Sequence, residues 1–170
     1  MAGAIRRLAV EICEKNRGTG QLALIGIHKR GVPLAHRLAA EIRLIPCANV
    51  LVGTIDITQY RDDLAMMEMV PKLEGSDIPF SIDDAQVVLC DEVIYTGRSV
   101  RAALDELLDH GRPARVQLAA LIDREGREFP IQPDYVGHKA VTSPDERIAV
   151  RFEEVDGEDA VYVQSSTPVK

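Results

Sequence analysis

The chain has 170 residues, a length that fits one domain with a substantial buried core. It contains no long apolar run and no charged-then-apolar leader, which predicts a cytoplasmic protein without a membrane span or secretory signal. The net charge of −7 argues against a general nucleic-acid-binding role, because affinity for phosphate backbones usually depends on a basic surface. Cys13, Cys47 and Cys90 lack paired spacing, so we expect reduced thiols rather than disulfides or a zinc site.

The first half of the chain alternates helical and strand patterns. Apolar residues recur with helical spacing before a stop at Asn16, and a short apolar run follows. The polar stretch 58–84, interrupted by Pro and Gly, is typical of a functional lid or binding loop. The predicted elements are a helix at Ile5–Lys15, a strand at Leu22–Ile27, a helix at Leu34–Ile42 and a strand at Asn49–Ile57.

The second half continues the alternation and ends in short strands. Strands that alternate with helices predict an α/β fold with a mostly parallel central sheet covered by helices on both faces. Acidic residues cluster near the C-terminus, between 153 and 159, and are interpreted as a solvated edge. The predicted elements are strands at Val87–Cys90, Val116–Ile122, Tyr135–Val136, Ile148–Phe152 and Val161–Val163, with a helix at Val100–His110.

The most informative segment is 87–99, VVLCDEVIYTGRS. Asp91 and Glu92 follow a buried strand, where carboxylates can accept hydrogen bonds from vicinal hydroxyls or hold a hydrated Mg²⁺. Thr96 and Gly97 allow a hydroxyl and backbone amides to approach an anion, and Ser99 is a candidate N-cap for the helix that follows. Acceptors for sugar hydroxyls thus stand beside donors for a phosphate, as a ribose 5-phosphate requires.

Other interpretations of this segment have less support. An ordinary strand-to-helix turn would leave a carboxylate pair at a strand end without a purpose. A phosphoacceptor receiver domain would not require the Thr-Gly loop. The chain contains neither GxxxxGK[ST] nor GxGxxG, so a P-loop and a dinucleotide-binding fold are not indicated.

This segment resembles the phosphoribosyl pyrophosphate (PRPP) motif of type I phosphoribosyltransferases. The wider chain is similar to the branch of that family that regulates pyrimidine operons by attenuation and also acts as a uracil phosphoribosyltransferase. The resemblance implies the type I phosphoribosyltransferase fold, as a single domain with a flexible loop or hood at roughly 58–84. The matching blocks reach to about Asp159 and include ALIGIHKRGVPLAHR at 23–37, DITQYRDDL at 56–64, 87–108, LAALIDREGREFPI at 118–131 and DYVGHKAVTS at 134–143.

The resemblance also implies a role for each part of the site. Asp91 and Glu92 would hold the ribose and Mg²⁺, and Arg61 would act on the leaving pyrophosphate from the flexible loop. Glu92 stands where relatives usually have Asp, and Lys29 replaces a usual hydroxyl residue. The phosphates would be bound by Lys29, Arg30 and Gly31 after the first strand and by Tyr95, Thr96, Gly97, Arg98 and Ser99 after the acidic pair.

The implied reaction joins uracil to PRPP and yields UMP and pyrophosphate. Backbone groups near Val136, assisted by Arg124, would bind the base. The branch also implies UMP-responsive binding of pyrimidine-operon mRNA by a homodimer or larger oligomer. The candidate RNA contacts are Arg6, Arg7, Arg17, Arg127 and Lys139. A catalysis-only salvage enzyme and a non-catalytic RNA-binding attenuator are the two main alternatives. A purine-specific transferase is a third.

Overall fold

A five-stranded parallel sheet organises the chain, with strand order β2-β1-β3-β4-β5. The computed structural model describes residues 1–18, 20–45, 49–62 and 74–165. Cys47 and residues 63–73 of the predicted loop lie outside the described residues. The strands are β1 Leu22–Ile27, β2 Val50–Ile55, β3 Gln86–Ile94, β4 Arg115–Arg124 and β5 Tyr135–Ala140.

Three helices cover the two faces of this sheet, namely α1 Ala2–Lys15, α2 Gly31–Arg43 and α3 Arg98–Asp109. Alternate residues of a strand point to opposite faces, and β1 shows the result: Leu22 and Leu24 pack with α1 and α2, whereas Ala23 and Ile25 pack with α3. The periodic residues of the first helix are buried as predicted, namely Ile5, Leu8, Ala9 and Ile12. The mostly parallel α/β fold predicted from the sequence is confirmed.

An antiparallel hairpin stands apart from the main sheet. It consists of β6 Glu146–Arg151 and β7 Ala160–Ser165, joined through the four-residue helix α4 Glu153–Asp156. Phe152 and Val150 are buried in the core shared by α1 and α2, so one side of the hairpin belongs to that core. We call residues 146–165 the hairpin hood, because Arg147 and Ile148 line a cavity at the carboxyl edge of the sheet.

Several element boundaries differ from prediction at the edge that matters for function. Strand β3 continues to Ile94, so Asp91 and Glu92 lie within the strand instead of after it. Helix α3 begins at Arg98 with Gly97 as its N-cap, so the prediction of Ser99 as the cap is wrong. Gly97 has a φ of +91°, a left-handed conformation that glycine adopts without strain and that turns the chain sharply into the helix.

Two further observations complete the fold. Cys13 and Cys90 are free thiols. Among the described residues, no helix is both long and apolar enough to cross a membrane.

Candidate active site

Two adjoining cavities lie over the carboxyl ends of the parallel strands. Strand β1 pairs with β2 on one side and β3 on the other, which creates a topological switch point where α/β proteins bind ligands. One cavity has a volume of about 390 Å³ and the other about 500 Å³. Both are lined by Arg61, Val93 and Ser99, so a ligand longer than either cavity could extend across the two.

The acidic pair forms part of the floor of the smaller cavity. Asp91 is only 7% exposed, and its Oδ1 accepts a hydrogen bond of 3.0 Å from the amide of Glu92. Burial and the neighbouring charge of Glu92 raise the pKa of Asp91 well above its usual value. A carboxylate held in this way interacts strongly with any hydroxyl or cation that enters the cavity.

His28 and Lys29, in the loop after β1, form one wall of the smaller cavity. The His28–Lys29 peptide bond is cis. His28 Nδ1 lies 3.0 Å from one carboxylate oxygen of Glu74, and Lys29 Nζ lies 3.5 Å from the other. A Cβ atom on Gly31 would collide with the carbonyl oxygen of Cys90, so glycine allows helix α2 to begin directly against β3. Lys29 therefore lines the smaller cavity, and Gly31 sets the start of α2 beside it.

Arg30 does not reach that cavity. Its guanidinium faces the hairpin hood, where Nε and Nη2 bind the two carboxylate oxygens of Asp156 at 3.0 and 2.6 Å. Arg30 is absent from the residues that line the two cavities. The predicted phosphate contact of Arg30 stays a prediction, and in the structure the side chain is directed at Asp156.

The loop 95–99 separates β3 from α3 and lines the larger cavity. The amide of Arg98 donates a hydrogen bond of 3.3 Å to Thr96 Oγ1, which orders the turn around Gly97. The amides of Ser99 and Val100 donate to no acceptor among the described residues, so the N-terminus of α3 can accept an anion. Thr96 and Ser99 line this cavity beside those amides, and Gly97 makes the turn between them.

Arg98 contributes differently from the prediction. Its guanidinium pairs with Glu128 at 2.6 Å and with Asp62, and it stacks over Phe129 at 5.2 Å. The carbonyl of Thr96 in turn accepts hydrogen bonds from the amides of Glu128 and Phe129. Arg98 therefore fastens the loop to segment 125–131, although it still lines the cavity.

The far end of the larger cavity is built around Arg124. This buried side chain stacks on the ring of Tyr95 at 3.9 Å, and its Nε donates to Thr142 Oγ1 at 2.6 Å. Nη2 donates to the carbonyl of Ser143 at 3.2 Å, whereas Nη1 donates to no acceptor among the described residues. Arg124 and Tyr95 thus form a flat, fixed surface with hydrogen-bonding capacity to spare, which suits a planar polar ligand.

Val136 is not brought to either cavity. It lies near the start of β5. In the register of the sheet, Val136 pairs with Ala120 of β4, and Ala120 pairs with Asp91 of β3. Its carbonyl accepts a hydrogen bond of 3.1 Å from Arg7 Nη1, and Arg7 Nη2 donates to the carbonyl of Gly137. Strand β5 continues to Ala140, beyond the predicted end at Val136, and the predicted base contact of Val136 stays a prediction.

Asp56 is a site residue that sequence reasoning did not single out. Its carboxylate accepts hydrogen bonds from the amide and hydroxyl of Thr58 and from the amides of Glu74 and Gly75. Burial alone would raise the pKa of Asp56, but these four hydrogen bonds lower it to about 2. One carboxylate therefore joins the two ends of the segment that carries Arg61, and the DIT sequence before the Arg-Asp-Asp run is the signal that marks it.

The predicted RNA contacts fall into two groups. Arg127 is 14% exposed and donates to the carbonyls of Tyr95, Arg124 and Ile131 while it pairs with Asp123, so it is an internal support. Arg7 is exposed, but its guanidinium is engaged with β5, as described above. The remaining three are exposed as well, namely Arg6, which pairs with Glu41 at 3.2 Å, Arg17 and Lys139.

The acidic pair fits a magnesium ion only together with a substrate. Among the described residues, no cluster of three or more His, Cys, Asp or Glu side chains could hold a metal. Mg²⁺ typically binds one or two carboxylates and completes its shell with water and substrate phosphates. Asp91 and Glu92 meet the protein's part of that requirement.

Comparison with known proteins agrees with this geometry. Residues 1–156 match the phosphoribosyl transferase domain family. The chain is 54% identical over 165 residues to "Bifunctional protein PyrR" of Roseiflexus sp., covering 96% of this chain and 90% of that one. It is 52% identical over 160 residues to the protein of the same name from Pelotomaculum thermopropionicum, covering 94% and 88%.

Solved structures of phosphoribosyltransferases have the same fold as this chain. The hypoxanthine phosphoribosyltransferase of Trypanosoma cruzi superposes with a TM-score of 0.72 at 21% identity, covering 98% of this chain and 90% of that one. That of Staphylococcus aureus gives 0.68 at 17% identity, covering 99% and 90%. At such identities the likeness concerns the fold alone. The sequence matches, over nearly the whole chain, carry the assignment: this chain belongs to the phosphoribosyltransferase family and, within it, to the PyrR proteins.

Proposed function

We propose that the chain transfers the phosphoribosyl group of PRPP to uracil, releasing pyrophosphate and forming UMP. The observation that supports the proposal is the position of the buried Asp91 between a loop that carries a lysine and a helix N-terminus with amides that are unpaired among the described residues. On one side lies the loop with Lys29, and on the other the free amides at the start of α3. PRPP has the same order of groups, with a ribose between a pyrophosphate and a 5-phosphate.

The reaction requires positioning and charge stabilisation more than a nucleophile on the protein. Positive charge develops on the ribose as pyrophosphate departs, and the carboxylates of Asp91 and Glu92 are close enough to the cavity to stabilise it. Thr96, Gly97 and Ser99 would hold the 5-phosphate, while Lys29 and Arg61 would balance charge on the leaving group. A bound Mg²⁺ would neutralise pyrophosphate charge, with Asp91 and Glu92 as its protein ligands.

The base would occupy the end of the larger cavity formed by Arg124 and Tyr95. Nη1 of Arg124 can donate to a carbonyl oxygen of uracil, and Nε and Nη2 hold the guanidinium in place. A donor in a fixed position discriminates among bases by the acceptor it meets. Of the two predicted base contacts, this assignment uses Arg124, and the contact of Val136 stays a prediction.

A pyrophosphate-release assay tests the proposal directly. Purified protein with PRPP and Mg²⁺ would be supplied in turn with uracil, hypoxanthine, guanine and orotate. We expect release with uracil alone and none without a base. Turnover with a purine but not uracil would refute the base assignment, and absence of turnover with every base would favour a non-catalytic regulator.

RNA binding is the second candidate function. The name "Bifunctional protein PyrR" of the relatives supports a role besides catalysis, and we propose pyrimidine-operon mRNA as its partner, with UMP as effector and a homodimer as the binding unit. Arg6 and Arg17 at α1 and Lys139 on β5 are exposed cations, and α1 contacts β5 through Arg7 and through Lys15, whose Nζ lies 4.6 Å from the centre of the Tyr135 ring.

Filter binding of a pyrimidine-leader stem-loop RNA at increasing salt tests this candidate. We expect salt-sensitive affinity that UMP enhances, and weaker binding of Arg17→Ala and Lys139→Ala with uracil turnover unchanged. RNA affinity that neither UMP nor these substitutions alter would leave a catalysis-only enzyme as the better description.

A further inference from the structure

We propose that Asp156 is a positioning residue for the loop 28–31, and that Arg30 serves PRPP binding only through Asp156. This inference rests on the proposed function, because it concerns the pyrophosphate end of that substrate. It changes the role of Arg30 from a ligand of the pyrophosphate to a connection between the loop and the hairpin hood.

The geometry of the pair supports a fixed connection. Both carboxylate oxygens of Asp156 are engaged by Arg30, at 2.6 and 3.0 Å, in the bidentate arrangement that guanidinium and carboxylate groups form best. The side chain of Asp156 is 13% exposed and that of Arg30 is 36% exposed. Oδ2 of Asp156 also accepts a hydrogen bond of 2.9 Å from the amide of Phe152. The hydrogen bond from Arg30 lowers the pKa of Asp156 to about 2, so the pair stays charged at physiological pH.

The segment that carries Asp156 is itself anchored. Phe152 before it is fully buried, and Arg37 stacks on its ring at 5.1 Å. Arg37 also binds Glu154 and Asp159, each through two hydrogen bonds of 2.7–2.8 Å. Arg30 and Arg37 lie two helical turns apart at the start of and within α2, so the hood holds this helix at two points. The segment around Asp156 is therefore fixed relative to α2, and the ion pair between Asp156 and Arg30 fixes the loop 28–31 relative to that segment.

The direction of Arg30 completes the argument. His28 and Lys29 line the smaller cavity, whereas Arg30 is turned toward Asp156 and does not line it. Nε and Nη2 of Arg30 are both engaged by Asp156, so direct contact with pyrophosphate through either atom would break a charge-assisted hydrogen bond. Holding the loop so that Lys29 and the backbone meet the pyrophosphate requires no such change.

A double-mutant cycle separates the two roles. The variants are Arg30→Gln, Asp156→Asn and the combination of both. We expect each single variant to raise the KM for PRPP about tenfold with kcat within about twofold, and the double variant to match the singles, because both changes break one connection. A much larger effect of Arg30→Gln than of Asp156→Asn, with additive losses, would show direct contact and overturn the proposal.

Two further variants control for folding and for general loosening of the hood. Glu158→Gln removes the ion pair with Arg151 in the same hairpin and leaves the contacts of Arg30 and Arg37 in place, and we expect a KM for PRPP equal to the wild type. Asp156→Glu keeps the charge and should recover most of the affinity, which also covers the case in which Asp156→Asn fails to fold. A Glu variant as impaired as the Asn variant would contradict a role based on the ion pair.

Calorimetric titration with PRPP and Mg²⁺, without a base, keeps this inference distinct from the proposed reaction. Wild-type protein that binds PRPP but does not turn over uracil would overturn the reaction and leave the affinity of Asp156→Asn as the test here. Wild-type affinity in Asp156→Asn would overturn this inference alone. Wild-type protein that binds no PRPP would overturn both.

Discussion

Asp91 places an ionisable carboxyl group at a position where parallel strands usually bury an apolar side chain. Strand β3 is flanked by β1 and β4, so its backbone and most of its side chains are removed from water. The raised pKa of Asp91 reflects that burial and the charge of Glu92. Such a group lowers stability for the sake of reactivity, a trade that active sites commonly show.

Replacement of Asp91 by Asn should therefore separate activity from stability. We expect uracil turnover to fall at least about 100-fold, because the carboxylate that faces the ribose is lost. We also expect a gain of about 1–2 kcal/mol in the free energy of unfolding at pH 8, because a buried charge is removed.

The stabilisation expected from Asp91→Asn should depend on pH. The folded pKa of Asp91 is raised above the unfolded value near 4, so its ionisation destabilises the fold increasingly as pH rises past about 4. The advantage of Asp91→Asn should vanish at about pH 4 in urea titrations. Asp145→Asn, at an exposed position, is the control, and an advantage of the Asn variant that is constant with pH would contradict the account.

Gly126 determines where the ring of Tyr95 can lie. A Cβ atom at this position would collide with the Tyr95 ring, and the φ of +125° disfavours any other residue. We expect Gly126→Ala to displace Tyr95 from Arg124 and to raise the KM for uracil about tenfold, because the base surface is disturbed. Gly20→Ala has comparable backbone strain at a φ of +93° with open space around it, and it should leave that KM unchanged in the same assay.

Site residues that lie close together along the chain could be predicted from the sequence, whereas residues far apart in sequence could not. Asp91, Glu92, Thr96 and Gly97 lie within seven consecutive residues, so their shared chemistry could be recognised from the local pattern. The pair of Arg30 and Asp156 is separated by 126 positions, and no local pattern reports it. The acidic run near the C-terminus consequently looked like a solvated edge, although it binds Arg30, Arg37 and Arg151.

At the scale of elements, the ends of strands and helices decide which residues face the ligand. Apolar periodicity located β1 at Leu22–Ile27 correctly, because the whole strand is buried and apolar. It ended β3 and β5 early, because charged and polar residues continue each strand at the functional edge. Hydrogen bonds to neighbouring strands outweigh the local preference there, and that information is not local.

The segment between β2 and residue 77 depends on Asp56 in the same non-local way. We expect Asp56→Asn to lower the free energy of unfolding by about 1–3 kcal/mol at pH 7, because four hydrogen bonds converge on the carboxylate. The folded pKa of about 2 lies below the unfolded value near 4, so this contribution is present above about pH 4 and is lost as pH falls to about 2. Urea titrations at pH 7 and pH 3 measure the difference, with the exposed Asp77→Asn as control. An equal loss at both pH values would contradict it.

At the scale of the whole molecule, the hairpin hood is held to the rest of the protein largely through arginine side chains of or beside α2. Arg37 joins it to Glu154, Asp159 and the ring of Phe152, and Arg30 joins it to Asp156. The core beneath contributes Phe152 and Val150. The hood therefore combines a small apolar base with a dense set of ion pairs.

Replacement of Arg37 by Gln should loosen the hood while sparing the parallel sheet. We expect amide hydrogen exchange of β6 and β7 to accelerate about tenfold or more, because partly buried paired charges lose their partner. Exchange in β1 and β3 should stay unchanged. Arg6→Gln breaks an exposed ion pair with Glu41 and should have almost no effect on either. Uniform acceleration throughout the protein would show that Arg37 supports global stability instead.

The convergence of Thr58 and Glu74 on the carboxylate of Asp56 has a practical consequence for protein engineering. Because the two ends of the intervening stretch meet at a single side chain, the entropy of closing that stretch grows only slowly with its length, by about 0.6 kcal/mol per doubling. A peptide tag or a small reporter inserted between them would add chain without separating β2 from β3. The position offers a route to a biosensor whose signal reports occupancy of the neighbouring cavity.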